Sequence, residues 1–329
     1  MNRPVALTCG DPAGIGPELV FEAWKRLRGS MPFFVLFDIR YSSLFGRGAT
    51  VCEISSPADA SAAMPRGIPV IDHEFTVAPQ AGQAEPRNAS AIIGSIARAA
   101  EFALSGTASS ICTGPVSKLL LRAGAGFGFG GQTEFLAQIC RAEFVAMMLE
   151  SPRLRVIPAT RHCSIAEVPS RLSRSLICST VETAHESLRA DFGIADPRIS
   201  VAGLNPHAGE GGILGDEEAR IIRPALERLR DQGFQIDGPL SADAMFHEQA
   251  RLKFDVAICM YHDQALIPLK SLDFYRGVNV TLGLPIVRTS PDHGTAFDLA
   301  GRGVANADSM TRAVRLAAHM AAARRAARL

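Results

Sequence analysis

Along the chain, short apolar runs alternate with stretches in which apolar positions recur every three or four residues. The runs Pro4 to Cys9, Phe33 to Phe37, Ser109 to Cys112, Phe144 to Leu149, Leu154 to Pro158, Ile199 to Leu204, Phe254 to Met260 and Val278 to Leu282 predict strands. Between them, Pro17 to Arg28, Asn88 to Ser105 and Ser173 to Phe192 read as helices. In the second of these, Ile92, Ile96, Ala99, Ala100 and Ala103 fall on one face and Gly106 provides the stop. Ser117 to Ala123 predicts a short helix closed by Gly124, and Thr133 can cap another that reaches Cys140. Asp216 to Gln232 is a helical segment that Pro224 must kink or restart, and Asp308 to Arg328 is the closing helix. Strand and helix in alternation predict an α/β fold built on a parallel sheet.

A chain of 329 residues, 47% hydrophobic and 20% charged, suffices for two domains or for one large α/β unit with an inserted lobe. The segment Gly124 to Gly131 holds enough glycine to serve as a hinge or a ligand-touching loop. Formal net charge is +1 and no basic stripe is present, which excludes sequence-independent nucleic-acid binding; the Ala/Arg-rich closing helix reads as a solvated face. Seven scattered cysteines without a CxxC pair predict reduced, buried thiols. No signal-type apolar region follows Met1, and no apolar run reaches the roughly 18 residues of a membrane span, so the expectation is a cytoplasmic protein without membrane contact.

Three histidines occupy equivalent places. His162, His207 and His262 each follow a predicted strand, and open α/β sheets build ligand sites at the carboxyl ends of their strands. Three imidazoles with open remaining positions predict a catalytic site for one divalent ion: zinc, cobalt or, with added water, magnesium. Asp263 places a carboxylate beside His262, as an orienting partner or as a base. His73, His185, His247 and His319 lie in ordinary contexts and read as structural. Lys270, Asn279 and Arg288 follow His262 within what reads as one stretch of strands and loops, and predict an anion clamp. The run from Ser290 to Gly301 reads as a loop leading to a helix N-terminus, where free backbone amides receive phosphate. The early turn Gly-Asp-Pro-Ala-Gly-Ile-Gly (10–16) has neither the GxGxxG spacing nor the Lys of a P-loop.

The blocks GDPAGIGPE, TGPVSK with GQTEFLA, NPHAGEGG, MYHDQALIPLK and GVNVTLGLPIVRTSPDHGTAFDLAGRG together resemble the 4-hydroxythreonine-4-phosphate dehydrogenase family of vitamin B6 biosynthesis. The HGTA-containing run also resembles the adenine-side cofactor loop of isocitrate and isopropylmalate dehydrogenases. The resemblance implies a two-domain, three-layer α/β/α fold of that dehydrogenase type. Residues 1–131 with 277–329 would form the cofactor-side domain, and 132–276 the metal and dimerisation domain. It further implies oxidation of 4-phosphooxy-L-threonine by NAD or NADP, with decarboxylation to 3-amino-2-oxopropyl phosphate, in a homodimer that shares its active site. His162, His207 and His262 match the metal ligands, with the third coming from the partner subunit. Thr133, Lys270, Asn279 and Arg288 match substrate contacts, and His293 and Gly294 the cofactor side; Asp243 and Asp263 are candidates for proton handling. At Gln132, where the family commonly has His, hydrogen bonding is kept and proton carriage is lost. That departure keeps open a paralogous dehydrogenase of 4-phosphothreonate or 4-phosphoerythronate. A metal-dependent hydrolase is the reading from a different class.

Overall fold

The computed structural model describes residues 3–328, so positions 1, 2 and 329 of the expected outer domain bounds lie outside the described residues. Its strands in chain order are β1 (Val5–Thr8), β2 (Phe33–Phe37), β3 (Val51–Glu53), β4 (Ile68–Asp72), β5 (Ser110–Thr113), β6 (Ala146–Ser151), β7 (Leu154–Pro158), β8 (Ile199–Ala202), β9 (Ile236–Leu240), β10 (Val256–Cys259), β11 (Val278–Leu282) and β12 (Arg288–Pro291). The chain divides into two compact units, one formed by residues up to 143 with 284–327, the other by 144–283. These divisions stand against expected boundaries at 131/132 and 276/277, and they put the helix Gln132–Ile139 in the first unit.

In the first unit the strand order is β3-β4-β2-β1-β5-β12, every pair parallel. Parallel strands need crossovers, and the helices Gly16–Leu27 and Ala89–Leu104 supply two of them. Ile92, Ile96, Ala99 and Ala100 are buried as their spacing predicts. The last strand, Arg-Thr-Ser-Pro, is buried throughout although none of its residues is apolar apart from proline. A periodicity argument cannot detect such a strand, because the site rather than the core selects its residues.

The second unit has the order β11-β6-β7-β10-β8-β9. The pairs β11/β6 and β6/β7 are antiparallel, and β7/β10, β10/β8 and β8/β9 are parallel. Edge strand β9 carries Gly238 and Pro239 in its middle, which hides it from a strand reading. The Arg174–Phe192 helix begins as expected, with the Ser173 hydroxyl accepting the Leu176 N–H at 3.1 Å, and ends at left-handed Gly193. Pro224 restarts its segment: a π-turn over Glu218–Ile222 gives way to the helix Arg223–Asp231, with the proline in its first turn.

Four expectations are corrected. Gly124 does not stop its helix, which continues over Lys118–Ala125 and ends at left-handed Gly126. Gly124 is small because a Cβ there would stand 1.8 Å from the Pro86 carbonyl oxygen. Thr133 does not cap the Gln132–Ile139 helix; Gly131 occupies that place, and Thr133 is buried in the first turn. The glycine-rich 124–131 segment is pinned rather than hinged, since the rings of Phe127, Phe129 and Phe135 pack together with centroids 5.2–5.5 Å apart. Residues 262–273 are a helix and not strand or loop; Pro268 in its middle masked the helical period.

Gly124→Ala should therefore lower the unfolding free energy by about 2–3 kcal/mol, because helix and Pro86 backbone must separate. Gly29→Ala, which meets nothing within 4 Å, should change it by less than about 0.5 kcal/mol. Chemical denaturation of the two variants checks the contrast.

Candidate active site

In the second unit the ends of β7 and β10 are laced together beyond the ladder. Ala159 N–H donates to the Cys259 carbonyl at 2.8 Å, and Thr160 donates to the Met260 carbonyl through both its N–H (3.2 Å) and its hydroxyl (2.7 Å). Gln264 extends the lacing to β8: its Oε1 accepts the Met260 N–H at 2.6 Å and its Nε2 donates to the Gly203 carbonyl at 2.8 Å. Where these strand ends meet, the chain delivers His162 and His262 side by side, ring centroids 6.0 Å apart. Two imidazoles bound to one ion at about 2.1 Å place their ring centres roughly 5–6 Å apart, so this separation suits a shared metal. Asp263 Oδ1 lies 2.7 Å from His262 Nδ1, which leaves Nε2 as the ligand nitrogen.

His207 is reached by a different route. After β8 the segment Pro206–Gly212 holds five successive left-handed residues, with φ of 53° at His207, 51° at Ala208, 79° at Gly209, 43° at Glu210 and 70° at Gly211. His162 is left-handed as well, at φ 50°. Left-handed non-glycine residues cost about 1 kcal/mol each and persist where surrounding contacts impose them. Just before the run, Glu218 accepts the Asn205 N–H at 2.7 Å and its side-chain amide at 3.0 Å, while Glu217 takes the same amide at 2.7 Å. Asn205 opens the block that was read as lying close to the site, whereas Glu217 and Glu218 were not read from the sequence. Asp243 lies within electrostatic reach of His207. The Ser241 hydroxyl donates to its carboxylate and holds it below the usual range, with a smaller pull from His207, against the upward push of desolvation. The structure thus brings together His162, His262 and Asp263 as one group, and His207 and Asp243 as another. Among the described residues of one chain, no three His, Cys, Asp or Glu side chains are grouped closely enough to hold a metal ion.

Lys270 lies on the helix that His262 opens. With Leu266, Ile267 and Phe274 it lines an open depression of about 440 Å³ that begins at His262. Asn279, on β11, buries its side-chain Oδ1 without a hydrogen-bond partner, an acceptor waiting for a donor.

The first unit carries the second set. Arg288 is 3% exposed at the start of β12, and its Nε and Nη2 donate to the Thr113 hydroxyl at 3.2 and 2.8 Å. Gln132 braces the same edge: its Oε1 accepts a long bond from Arg288 Nη2 at 3.4 Å and its Nε2 donates to the Gly114 carbonyl at 3.0 Å. Burial pulls Arg288 down to about 10, opposed by the charges of Cys112 and Glu134, so the guanidinium remains a cation at neutral pH. The Glu134 carboxylate lies within electrostatic reach of this buried cation. Thr113 was overlooked in the sequence, although it opens the Thr-Gly-Pro-Val-Ser-Lys block.

His293 and Gly294 lie in the loop after β12, with His293 Nδ1 3.0 Å from the Gly294 carbonyl. The expectation of free amides farther along this loop is corrected. The N–H groups of Gly301 and Gly303 are taken by the Glu18 carboxylate, and that of Asp308, the first residue of the closing helix, by Asn306 Oδ1. Beside the loop opens a cavity of about 1050 Å³, whose lining includes Phe21, Phe45, Arg47, Arg302, Val304 and Asn306.

Comparison with known proteins gives this arrangement its context. The family described as PdxA, pyridoxal phosphate biosynthetic protein, matches residues 37–317. A 4-hydroxythreonine-4-phosphate dehydrogenase of Paracoccus denitrificans is 50% identical over 326 residues, 98% of this chain and 99% of that protein. One from Ruegeria is 47% identical over 320 residues, covering 97% of each. The crystal structure of a 4-hydroxythreonine-4-phosphate dehydrogenase from Klebsiella pneumoniae superposes with a TM-score of 0.86 at 37% identity, covering 98% of both chains. On this likeness in sequence and in fold, the chain belongs to the PdxA family of pyridoxal phosphate biosynthetic proteins.

Proposed function

We propose that this protein is an NAD(P)-dependent 4-hydroxythreonine-4-phosphate dehydrogenase. It oxidises the carbinol of 4-phosphooxy-L-threonine, and the β-keto acid formed loses CO₂ to give 3-amino-2-oxopropyl phosphate. The observation that carries the reading is the pairing of His162 with His262 at laced strand ends, with Asp263 on the outer nitrogen of His262. The named activity of the relatives, at half identity, supports the same chemistry.

His162, His207 and His262 would hold one divalent ion, which when bound lowers the pKa of a substrate hydroxyl. Neutral imidazoles suit zinc or cobalt, and magnesium with retained water. The third ligand, His262, was expected from the partner subunit; with His162 and His262 side by side in one chain, we instead assign the remaining imidazole, His207, to a second copy and the working enzyme to a homodimer. Asp263 fixes the tautomer of His262. Asp243, kept ionised by Ser241, would accept the hydroxyl proton, and a bound NAD(P) would supply the oxidant. Arg288, braced by Gln132 with Thr133 nearby in the first turn of the same helix, binds phosphate; Lys270 and Asn279 complete the polar contacts, Asn279 through its unmatched Oδ1. His293 and Gly294 contact the dinucleotide. Gln132 has both ends of its amide engaged, so its part is to orient and not to move protons.

NAD(P)H absorbance should rise with 4-phosphooxy-L-threonine and stop on chelation. Turnover on 4-phosphothreonate that exceeds it would transfer the same chemistry to the sugar-acid substrate. Arg288→Lys should raise the substrate KM by roughly 10- to 100-fold, since one point charge replaces a braced fork; an unchanged KM removes Arg288 from the phosphate.

Subunit sharing has its own readout. Each single variant His162→Ala, His207→Ala and His262→Ala should lose turnover by at least about 100-fold. Two of their three pairwise mixtures should then regain about a quarter of native sites, because a mixed dimer assembles one intact set. If no mixture regains activity, each chain carries a complete site.

A further inference from the structure

Glu18 lies in the first turn of the Gly16–Leu27 helix and is 9% exposed. Its two carboxylate oxygens accept the N–H groups of Gly301 and Gly303. Both glycines are left-handed, at φ 79° and 66°, and backbone amides that converge in this way form a concavity for an anion. In this protein the anion is internal.

The same loop is tied down at one more place and closely approached at another. Ile15 N–H donates to the Thr295 carbonyl at 2.9 Å, and Gly14 has no room for a Cβ, which would stand 2.7 Å from that same oxygen. Gly82 N–H donates to the Ala13 carbonyl at 2.8 Å, and a Cβ on Gly82 would come 3.1 Å from the Phe297 carbonyl oxygen. The turn that lacks a dinucleotide fingerprint is therefore a clasp: residues 13–18 grip the loop at Thr295 and at Gly301–Gly303, on either side of Phe297. His293 and Gly294 come directly before the first grip.

We propose that Glu18 is a positioning residue for the dinucleotide: it fills the Gly301–Gly303 concavity with its own carboxylate and thereby holds the 293–303 loop in its cofactor-binding shape. The cofactor phosphates are thus bound elsewhere on the loop. This inference rests on the reading that His293 and Gly294 contact the dinucleotide.

The test is steady-state kinetics of Glu18→Gln beside His293→Ala, with hydrogen exchange across 293–303. A glutamine can accept only one of the two amides and turns an N–H₂ toward the other. Glu18→Gln should raise the dinucleotide KM about tenfold, the loss expected for one charge-assisted pair. It should leave the phosphorylated substrate's KM and the kcat at saturation within about twofold, and speed exchange at 295–303. Glu18→Asp, which keeps the charge on a shorter arm, should recover part of the dinucleotide affinity. An unchanged dinucleotide KM in a folded Glu18→Gln, with His293→Ala impaired, overturns the role of Glu18 and leaves the cofactor loop standing. If neither variant affects the dinucleotide, the cofactor assignment itself fails. Should Glu18→Gln not fold, wild-type exchange with and without NAD⁺ decides: slowing across 293–303 supports the proposal, and no slowing overturns it.

Discussion

Hydrogen bonding between parallel strands sets β7, β10 and β8 side by side with their carboxyl ends on one edge, and the imidazoles of the second unit depend on that register. The ladder alone would leave loops free to wander after each strand. Thr160 and Gln264 continue the pairing past the last ladder bonds, so that His162 and the helix opened by His262 leave the sheet at fixed places. Side chains delivered from rigid strand ends keep the sub-ångström tolerances that catalysis needs.

The first unit meets a different constraint, a guanidinium kept out of water. Desolvation loosens the proton of Arg288 without removing it, the charge of Glu134 opposes that loss, and the hydroxyl of Thr113 and the amide oxygen of Gln132 accept from the guanidinium. A phosphate dianion is a natural complement, since two N–H donors of a fixed fork match two phosphate oxygens.

Much of this was legible in the sequence, and the failures have physical causes. Strands such as Leu154–Pro158 and Val278–Leu282 were readable to the residue because one face of each buries successive apolar side chains, Leu154 and Val156 in the first and Val278, Val280 and Leu282 in the second. β12 was not, because its Arg, Thr and Ser are buried for binding, and β9 was not, because Gly and Pro occupy an edge. The helix after His262 was hidden by Pro268. Among site residues, histidines at strand ends announce themselves by position. Thr113, Glu18 and Glu218 do not, since each acts by accepting a hydrogen bond from a partner that only the fold brings near. Gly124 was legible as special but for the wrong reason: a glycine that ends a helix and one that lets a carbonyl approach look alike in one dimension.

The left-handed run through His207 bears on how long the protein survives. Three of its residues, His207, Ala208 and Glu210, have side chains in a backbone region that resists them, so this segment is held under tension. Whatever binds the strained arrangement offsets that tension and withholds the segment from proteases, which cut chains that open.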